Sequence, residues 1–234
     1  MKEFIAALKS KGYWQARLLP SIEQPKRWGD KLAIKVALNG IAVNFRGWDY
    51  PHVSLQHNVV IESDRVWQTT EWNYFREIWC AFLSGQFLHV AGMRADYGAA
   101  LQLGLLEDHV EPGEKLLGIG DTVYRMTEFA HFASRYAQAV CPGEDLRALL
   151  EVGGLKDRRL VVDDPNRGGT SSRYVAHTEA PFTADLLVRP GTSDAELARE
   201  ARNLANELYE LFEFRAADAV LEGWQRQMIY YRPS

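Results

Sequence analysis

Residues 44–52 have the sequence NFRGWDYPH and follow the apolar run IAV at residues 41–43. The guanidinium of Arg46 is permanently charged, and the imidazole of His52 titrates near neutral pH. Gly47 permits a tight turn, whereas Pro51 favours an extended conformation for the residue before it. The segment therefore predicts the end of a strand. That end either opens into a binding cleft or is pinned to the core as a turn by its own aromatic side chains.

Short apolar or alternating runs outside this segment predict the strands of a sheet. The predicted strands cover residues 13–19, 41–45, 58–62, 66–70, 87–94, 115–119, 145–152, 159–163, 174–177 and 182–188. Residues 58–62 and 66–70 are expected to form a hairpin, and residues 145–152 are expected to pair with residues 159–163. Residues 95–114 show no clear period and receive no assignment, and residues 164–172 are expected to form an exposed loop.

Apolar residues at intervals of three and four predict the helices. The predicted helices cover residues 4–8, 31–38, 72–83 and 122–139, and a glycine ends each of the first three. Ser193 and Glu196 form a capping-box pattern. This pattern begins a strongly amphipathic helix over residues 197–212, which is expected to continue with a kink to Tyr230.

Together these elements predict one α+β domain at residues 1–234. It has a mixed, mostly antiparallel sheet, helices packed on that sheet and a long C-terminal amphipathic helix. The chain has 234 residues, of which 47% are hydrophobic, so it can bury the core of one large domain. No internal repeat, low-complexity tract or linker in the sequence favours a division into two domains.

The composition excludes some classes of protein. The formal net charge of −4 argues against a protein that coats nucleic acid by bulk charge. Cys80 and Cys141 are expected to be reduced thiols in helical or helix-end positions. The N-terminal pattern lacks the apolar centre of a signal peptide, and no apolar run approaches the ~20 residues of a membrane span. The sequence therefore predicts a cytoplasmic protein that does not contact a membrane.

Four residues are candidates for catalysis, namely Asp49, His52, Glu71 and His89. Carboxylates and imidazoles are the ligands of divalent-metal hydrolases and nucleases, and these side chains converge if their strands pair. Their spacing matches no metal-binding motif, so no metal or cofactor is assigned. The alternative is a structural one, in which Arg46 pairs directly with Asp49 and fixes a turn around Trp48.

Two further sequence patterns each have a functional and a structural explanation. A glycine-rich junction joins a strand to a helix at Gly118-Ile119-Gly120-Asp121-Thr122. Free backbone N–H groups at the start of a helix can bind an anion. An N-cap formed by Asp121 or Thr122 explains this sequence better than an anion site does. Cationic side chains next to aromatic rings are typical of surfaces that bind nucleic acid, because bases stack on the rings and the cations attract the backbone. The candidate binding residues are Arg46, Trp48, Tyr50, Arg76, Arg167 and Arg173. Core packing of the aromatic side chains and a solvated loop at residues 167–173 are the alternatives.

Residues 46–52, with residues 75–77, 84–89 and 211–214, resemble a pattern in uncharacterised bacterial proteins that have an Arg-Gly-Trp-Asp-Tyr-Pro-His stretch. The resemblance covers about a third of the chain. It implies a bacterial cytosolic protein with a core around this stretch, and it implies no catalytic residue.

The absence of a complete catalytic constellation favours a non-enzymatic binding or sensor module of a larger bacterial cytosolic assembly, with a protein partner and with oligomerisation left open. One alternative is a metal-dependent hydrolase or nuclease centred on Asp49, His52 and His89. A second is a nucleic-acid-binding protein that uses Arg46, Arg76 and the arginines of residues 167–173.

Overall fold

The computed structural model describes residues 1–53, 58–98, 113–164, 167 and 172–230. Its helices are α1 (Lys2–Lys9), α2 (Lys31–Ile41), α3 (Ile119–Val140), α4 (Asp194–Glu210) and α5 (Asp218–Tyr230). Its strands are β1 (Tyr13–Pro20), β2 (Val59–Ile61), β3 (Arg65–Trp72), β4 (Phe75–Phe82), β5 (Phe87–Gly92), β6 (Lys115–Gly118), β7 (Leu146–Gly153), β8 (Arg158–Val161), β9 (Tyr174–Val175) and β10 (Phe182–Val188). A 3-10 turn at Arg94–Tyr97 follows β5. The predicted α+β class is confirmed.

The main sheet has seven strands in the order β10-β7-β1-β5-β4-β3-β2, and every neighbouring pair is antiparallel. A second sheet has the order β6-β8-β9, in which β6 and β8 are parallel. Arg158 of β8 is fully buried and joins this small sheet to the 3-10 turn through two hydrogen bonds to Asp96, at 2.9 and 2.7 Å.

Helix α3 packs on one face of the main sheet and forms the centre of the core. The six residues that the sequence predicted for its apolar face are all buried: Val123, Met126, Phe129, Ala130, Ala133 and Ala137. The strands present a matching apolar surface in β1, β7 and β10, where Trp14, Leu150 and Leu186 are buried. On the opposite face of the sheet, Leu8 of α1 packs with Ile78 and Val90.

The helix predicted over residues 72–83 is wrong, because these residues form the turn after β3 and the strand β4. Asn73 adopts a positive φ of 48° in that turn. Both faces of β4 are covered, since Trp79 packs towards α3 and Ile78 packs towards α1. A strand buried on both faces lacks polar alternation, and its aromatic spacing resembled a helical period. Cys80 therefore lies in a strand, and both cysteines are free and buried.

Two other predictions about strands are wrong. Residues 41–45 form no strand, because α2 runs to Ile41 and only an isolated bridge joins Val43 to Tyr50. Strand β7 does not pair with β8, since β7 lies between β1 and β10. The predicted hairpin is present as β2 and β3. Residues 99–112 and most of the predicted loop at residues 164–172 lie outside the described residues.

The capping box predicted at the start of α4 is present, with Ser193 and Glu196 each bonded to the other's backbone N–H. The C-terminal helical region is not continuous, because a turn at residues 211–217 separates α4 from α5. The amphipathic pattern of residues 197–212 predicts that Leu204, Leu208 and Leu211 are buried. Leu204 and Leu208 are buried, but Leu211 is 37% exposed because it lies past the last helical turn.

The different burial of Leu208 and Leu211 gives the first prediction. Leu208→Ala should lower the free energy of unfolding by about 2–5 kcal/mol, because the fully buried side chain leaves a cavity against α3. Leu211→Ala is the matched control and should cost less than about 1 kcal/mol. Urea unfolding measures both, and equal losses would contradict the placement of α4.

Candidate functional site

The segment at residues 43–53 forms a loop over the corner of the main sheet rather than a strand end. Val43 and Tyr50 exchange two backbone hydrogen bonds, at 3.0 and 2.7 Å. Gly47 adopts a positive φ of 85°, which fits the predicted turn. We call residues 43–53 the motif loop, and its side chains reach three different surroundings.

Arg46 extends from the motif loop to α3. Its Nε and Nη2 donate to the two carboxylate oxygens of Glu128, at 2.8 and 2.6 Å, and its Nη1 donates to Asp121, at 2.7 Å. The predicted direct pair with Asp49 is wrong, since the Asp49 carboxylate accepts from Asn44 at 3.4 Å. Glu128 is fully buried, so this forked ion pair forms away from water.

We call Arg46, Glu128, Asp121 and Arg94 the charge network, and part of it lies at the N-terminus of α3. Arg94 donates to Asp121 at 2.5 Å. Burial raises the pKa of Asp121, but Arg94 and Arg46 outweigh that effect and hold the pKa well below its ordinary range. Neither Asp121 nor Thr122 is the cap: Asp163 accepts from the backbone N–H groups of Gly120 and Asp121, at 2.6 and 2.7 Å. Burial and the nearby Asp121 raise the pKa of Asp163 to about 6.

His52 and His89 do converge, but around Glu77 rather than Asp49. His52 Nδ1 lies 3.0 Å from one Glu77 oxygen, and His89 Nε2 lies 3.3 Å from the other. The backbone N–H of His52 also donates to Glu77, at 2.7 Å. Burial opposes ionisation of Glu77, yet the two imidazoles keep its pKa well below the ordinary value. All three side chains are buried, so His52 does not border an open cleft.

Sequence reasoning missed Glu77 because a helix was predicted there. In the strand register, Glu77 lies opposite Thr70 on β3, and the pair of Trp79 and His89 lies two positions further along, on the same face of the sheet. Gln68 and Thr70 share this polar corner of the inner face, and both are buried without a hydrogen bond from their side-chain atoms to any described residue. Glu71 points away, with its side chain 55% exposed and 3.6 Å from Arg76.

The candidate residues Asp49, His52, Glu71 and His89 do not form a metal site in the structure. In the described ranges, no group of three or more His, Cys, Asp or Glu side chains is arranged to hold a metal ion. The imidazoles contact Glu77 directly, and Asp49 has a different partner. The ionic contacts of Glu77 with His52 and His89 lie inside the fold, because all three side chains are buried.

The remaining candidate binding residues have intramolecular partners. Arg76 donates to the backbone oxygens of Asn73 and Phe75. Arg167 stacks over Trp224, with its guanidinium carbon 3.9 Å from the ring centroid, and Arg173 bonds Glu114. Trp48 packs on Phe75, and Tyr50 is buried against His89.

An open groove lies between α3, α4 and α5, and sequence reasoning did not find it. Its volume is about 760 Å³. The lining residues are Phe45 of the motif loop; His131, Ser134, Arg135 and Gln138 of α3; Asp194, Ala195, Ala198, Arg199 and Arg202 of α4; and Glu222, Gln225, Arg226 and Ile229 of α5. We call this the three-helix groove, and its size is that of a ligand site.

The floor of the three-helix groove is a buried hydrogen-bond network. Arg202 donates to Asp218 at 2.6 Å and to Gln225 at 2.8 Å. Gln225 donates in turn to Thr127 of α3 and to the Ala198 backbone oxygen, at 2.7 and 2.9 Å. These bonds join the three helices, so the groove is preformed.

His131 borders the three-helix groove and is almost fully buried. Its Nδ1 lies 3.4 Å from Asp194, and its Nε2 has no hydrogen-bond partner among the described residues. Burial lowers the pKa of His131, Arg135 adds to that effect and Asp194 opposes it. Burial therefore favours the neutral form of this imidazole, and its Nε2 is enclosed by the protein.

Comparisons with models of protein families, with curated proteins and with solved structures each found no match for this chain. No helix of the described residues has the length and apolar character needed to cross a bilayer.

The charge network gives the second prediction. Asp121→Asn should lower the free energy of unfolding by about 3 kcal/mol at pH 7, because it leaves Arg94 without its carboxylate and removes one of the two carboxylates of Arg46. Since the pKa of Asp121 is lowered in the folded state, its stabilisation is complete above the ordinary value of 3.8 and is lost as the pH falls below it. The difference between the two proteins should therefore shrink below about pH 4, whereas between about pH 7 and 5 it also contains the titration of Asp163, whose pKa Asp121 helps to raise.

Urea unfolding at each pH measures this difference. Asp185→Asn is the matched control, because Asp185 is 43% exposed and pairs with the exposed Arg147. The control should change the free energy of unfolding by less than about 1 kcal/mol. A cost for Asp121→Asn that grows as the pH falls below about 4 would contradict the lowered pKa of Asp121.

Proposed function

We propose that the protein is a non-enzymatic binding module that holds an acidic segment of a protein partner in the three-helix groove. One observation carries this proposal: each of the three helices contributes an exposed arginine to a preformed groove. These arginines are Arg135, Arg199 and Arg226. The resemblance of the motif loop to bacterial sequences supports a place for this module in a bacterial cytosolic assembly.

The charge of the groove favours an anionic ligand. Four arginines line it against the two carboxylates of Asp194 and Glu222, whereas the whole chain has a net charge of −4. Arg202 is occupied by Asp218. The side chains of Arg199 and Arg226 are 59% and 68% exposed, so a ligand reaches them at little desolvation cost.

The shape of the groove favours a peptide segment over a single small anion. The three arginines lie on separate helices, and Arg226 and Arg199 have only weak local partners in Glu222 and Glu200. Small apolar side chains, Ala195 and Ala198, and the ring of Phe45 lie among them. A segment with several carboxylates and short apolar side chains complements this mixture.

The metal-dependent alternative lacks support, since the imidazoles of His52 and His89 are occupied by Glu77. The nucleic-acid alternative also lacks support, because Arg46 and Arg76 make intramolecular hydrogen bonds. Nucleic acid is nevertheless a useful competitor in the test, because any guanidinium attracts phosphate.

The third prediction concerns a fluorescently labelled peptide of alternating Glu and Ala residues. Fluorescence anisotropy should show binding that weakens as salt concentration rises. Arg199→Glu and Arg226→Glu should each weaken the affinity roughly tenfold, because reversal replaces an attraction by a repulsion. Arg147→Glu is the control and should leave the affinity unchanged, since Arg147 lies on the sheet face opposite α3.

Two results would overturn the proposal. The first is an equal loss of affinity for Arg147→Glu and for the two groove variants, which would indicate charge attraction without a site. The second is binding of single-stranded DNA that is tighter than peptide binding and persists at high salt, which would favour the nucleic-acid alternative.

A further inference from the structure

A small cavity lies between α3 and the inner face of the main sheet, apart from the three-helix groove. Its volume is about 10 Å³, which is room for one water molecule or one monatomic ion. Its walls are mostly apolar and include Trp14, Ala91, Phe129 and Leu150. Three polar side chains also line it, namely Tyr50, His89 and Arg125.

Arg125 is the unusual member of this set. Only 5% of the residue is exposed. No hydrogen bond or ion pair links its guanidinium to any residue that the structure describes, and its Nε is buried without a partner. A buried donor of a cationic group that has no acceptor or contacting anion is unfavourable, and native proteins normally pair such groups.

The carboxylates nearest along α3 are already engaged. Asp121, one turn before Arg125, binds Arg46 and Arg94. Glu128, almost one turn after Arg125, accepts both parallel bonds from Arg46. Asp121 and Arg125 interact only through space, which contributes to the low pKa of that carboxylate.

Of the other two polar groups, Tyr50 can donate to an anion, whereas Nε2 of His89 lies against Glu77. Burial raises the pKa of Tyr50, Arg125 opposes that effect, and Glu128 and Glu77 add to it, so the hydroxyl stays neutral and remains a donor. The ring of His89 meets the ring of Tyr50 edge to face, with centroids 5.1 Å apart. Glu77, the negative group beside His89 Nε2, is not part of the lining.

We propose that this cavity is a binding site for a monatomic halide, held by Arg125 and Tyr50, with the ring of His89 in its wall. The volume excludes polyatomic organic anions, and chloride is the halide available to a protein in aqueous salt. A bound chloride supplies the anion that Arg125 lacks and links α3 to β5 and to the motif loop. The site is independent of the proposed function, because it shares no lining residue with the three-helix groove.

The test compares melting temperatures in sodium chloride and in sodium gluconate at equal ionic strength. Gluconate is too large for the cavity, so it controls for screening. A ligand that binds only the folded state raises the melting temperature by mass action. The temperature should rise by roughly 3–5 °C more in chloride than in gluconate once chloride exceeds its dissociation constant tenfold.

Arg125→Met should abolish this difference between the two salts. Arg147→Met is the control and should retain it, since Arg147 is an exposed arginine that pairs with Asp185 on the sheet face opposite α3, away from both the cavity and the groove. Should Arg125→Met fail to fold, the unaltered protein crystallised in sodium bromide provides the second test. An anomalous bromide peak between Arg125, Tyr50 and His89 is expected.

Equal melting temperatures in the two salts together with no bromide peak would overturn the proposal and leave a single water in the cavity. A chloride effect that persists in Arg125→Met would also overturn it, because the anion would then bind elsewhere.

Discussion

The forked ion pair between Arg46 and Glu128 fixes the motif loop to the helix at the centre of the core. The loop itself has only the Val43–Tyr50 backbone bridge, so its register on the sheet depends on side chains. Glu128 is fully buried, and an ionised carboxylate in that position requires a cation with good geometry. Arg46 supplies it with two hydrogen bonds and binds Asp121 with the third, which also places Arg94.

The charged residues of the protein fall into two groups, which the motif loop connects. The charges near α3 and the corner of the sheet are mostly buried and are paired with one another, so they fix the positions of the elements that carry them. The three-helix groove is open, and its arginines are available. The motif loop connects them, because it sends Arg46 to Glu128, His52 to Glu77 and Phe45 to the wall of the groove. Loss of the loop's position would therefore alter the groove without a change in any groove residue.

The sequence predicted the features that depend on local pattern. The period of α3, the capping box of α4 and the hairpin of β2 and β3 are local, and each is present. Strand β4 was mistaken for a helix because α1 and α3 cover both of its faces, and that error hid Glu77. The partners of Arg46 lie 75 and 82 residues away, so only the fold reveals them. The three-helix groove was missed for the same reason, because its residues come from three helices and the motif loop.

A double-mutant cycle on Arg46 and Glu128 tests the central claim most directly. Arg46→Met and Glu128→Leu should each lower the free energy of unfolding by about 3–5 kcal/mol, because each leaves a buried charge without its partner. The double variant should cost less than the sum of the two by about 2 kcal/mol or more, since the apolar side chains replace both charges together. Costs that add to within about 0.5 kcal/mol would show that the two residues do not interact in the folded protein, and would contradict the account.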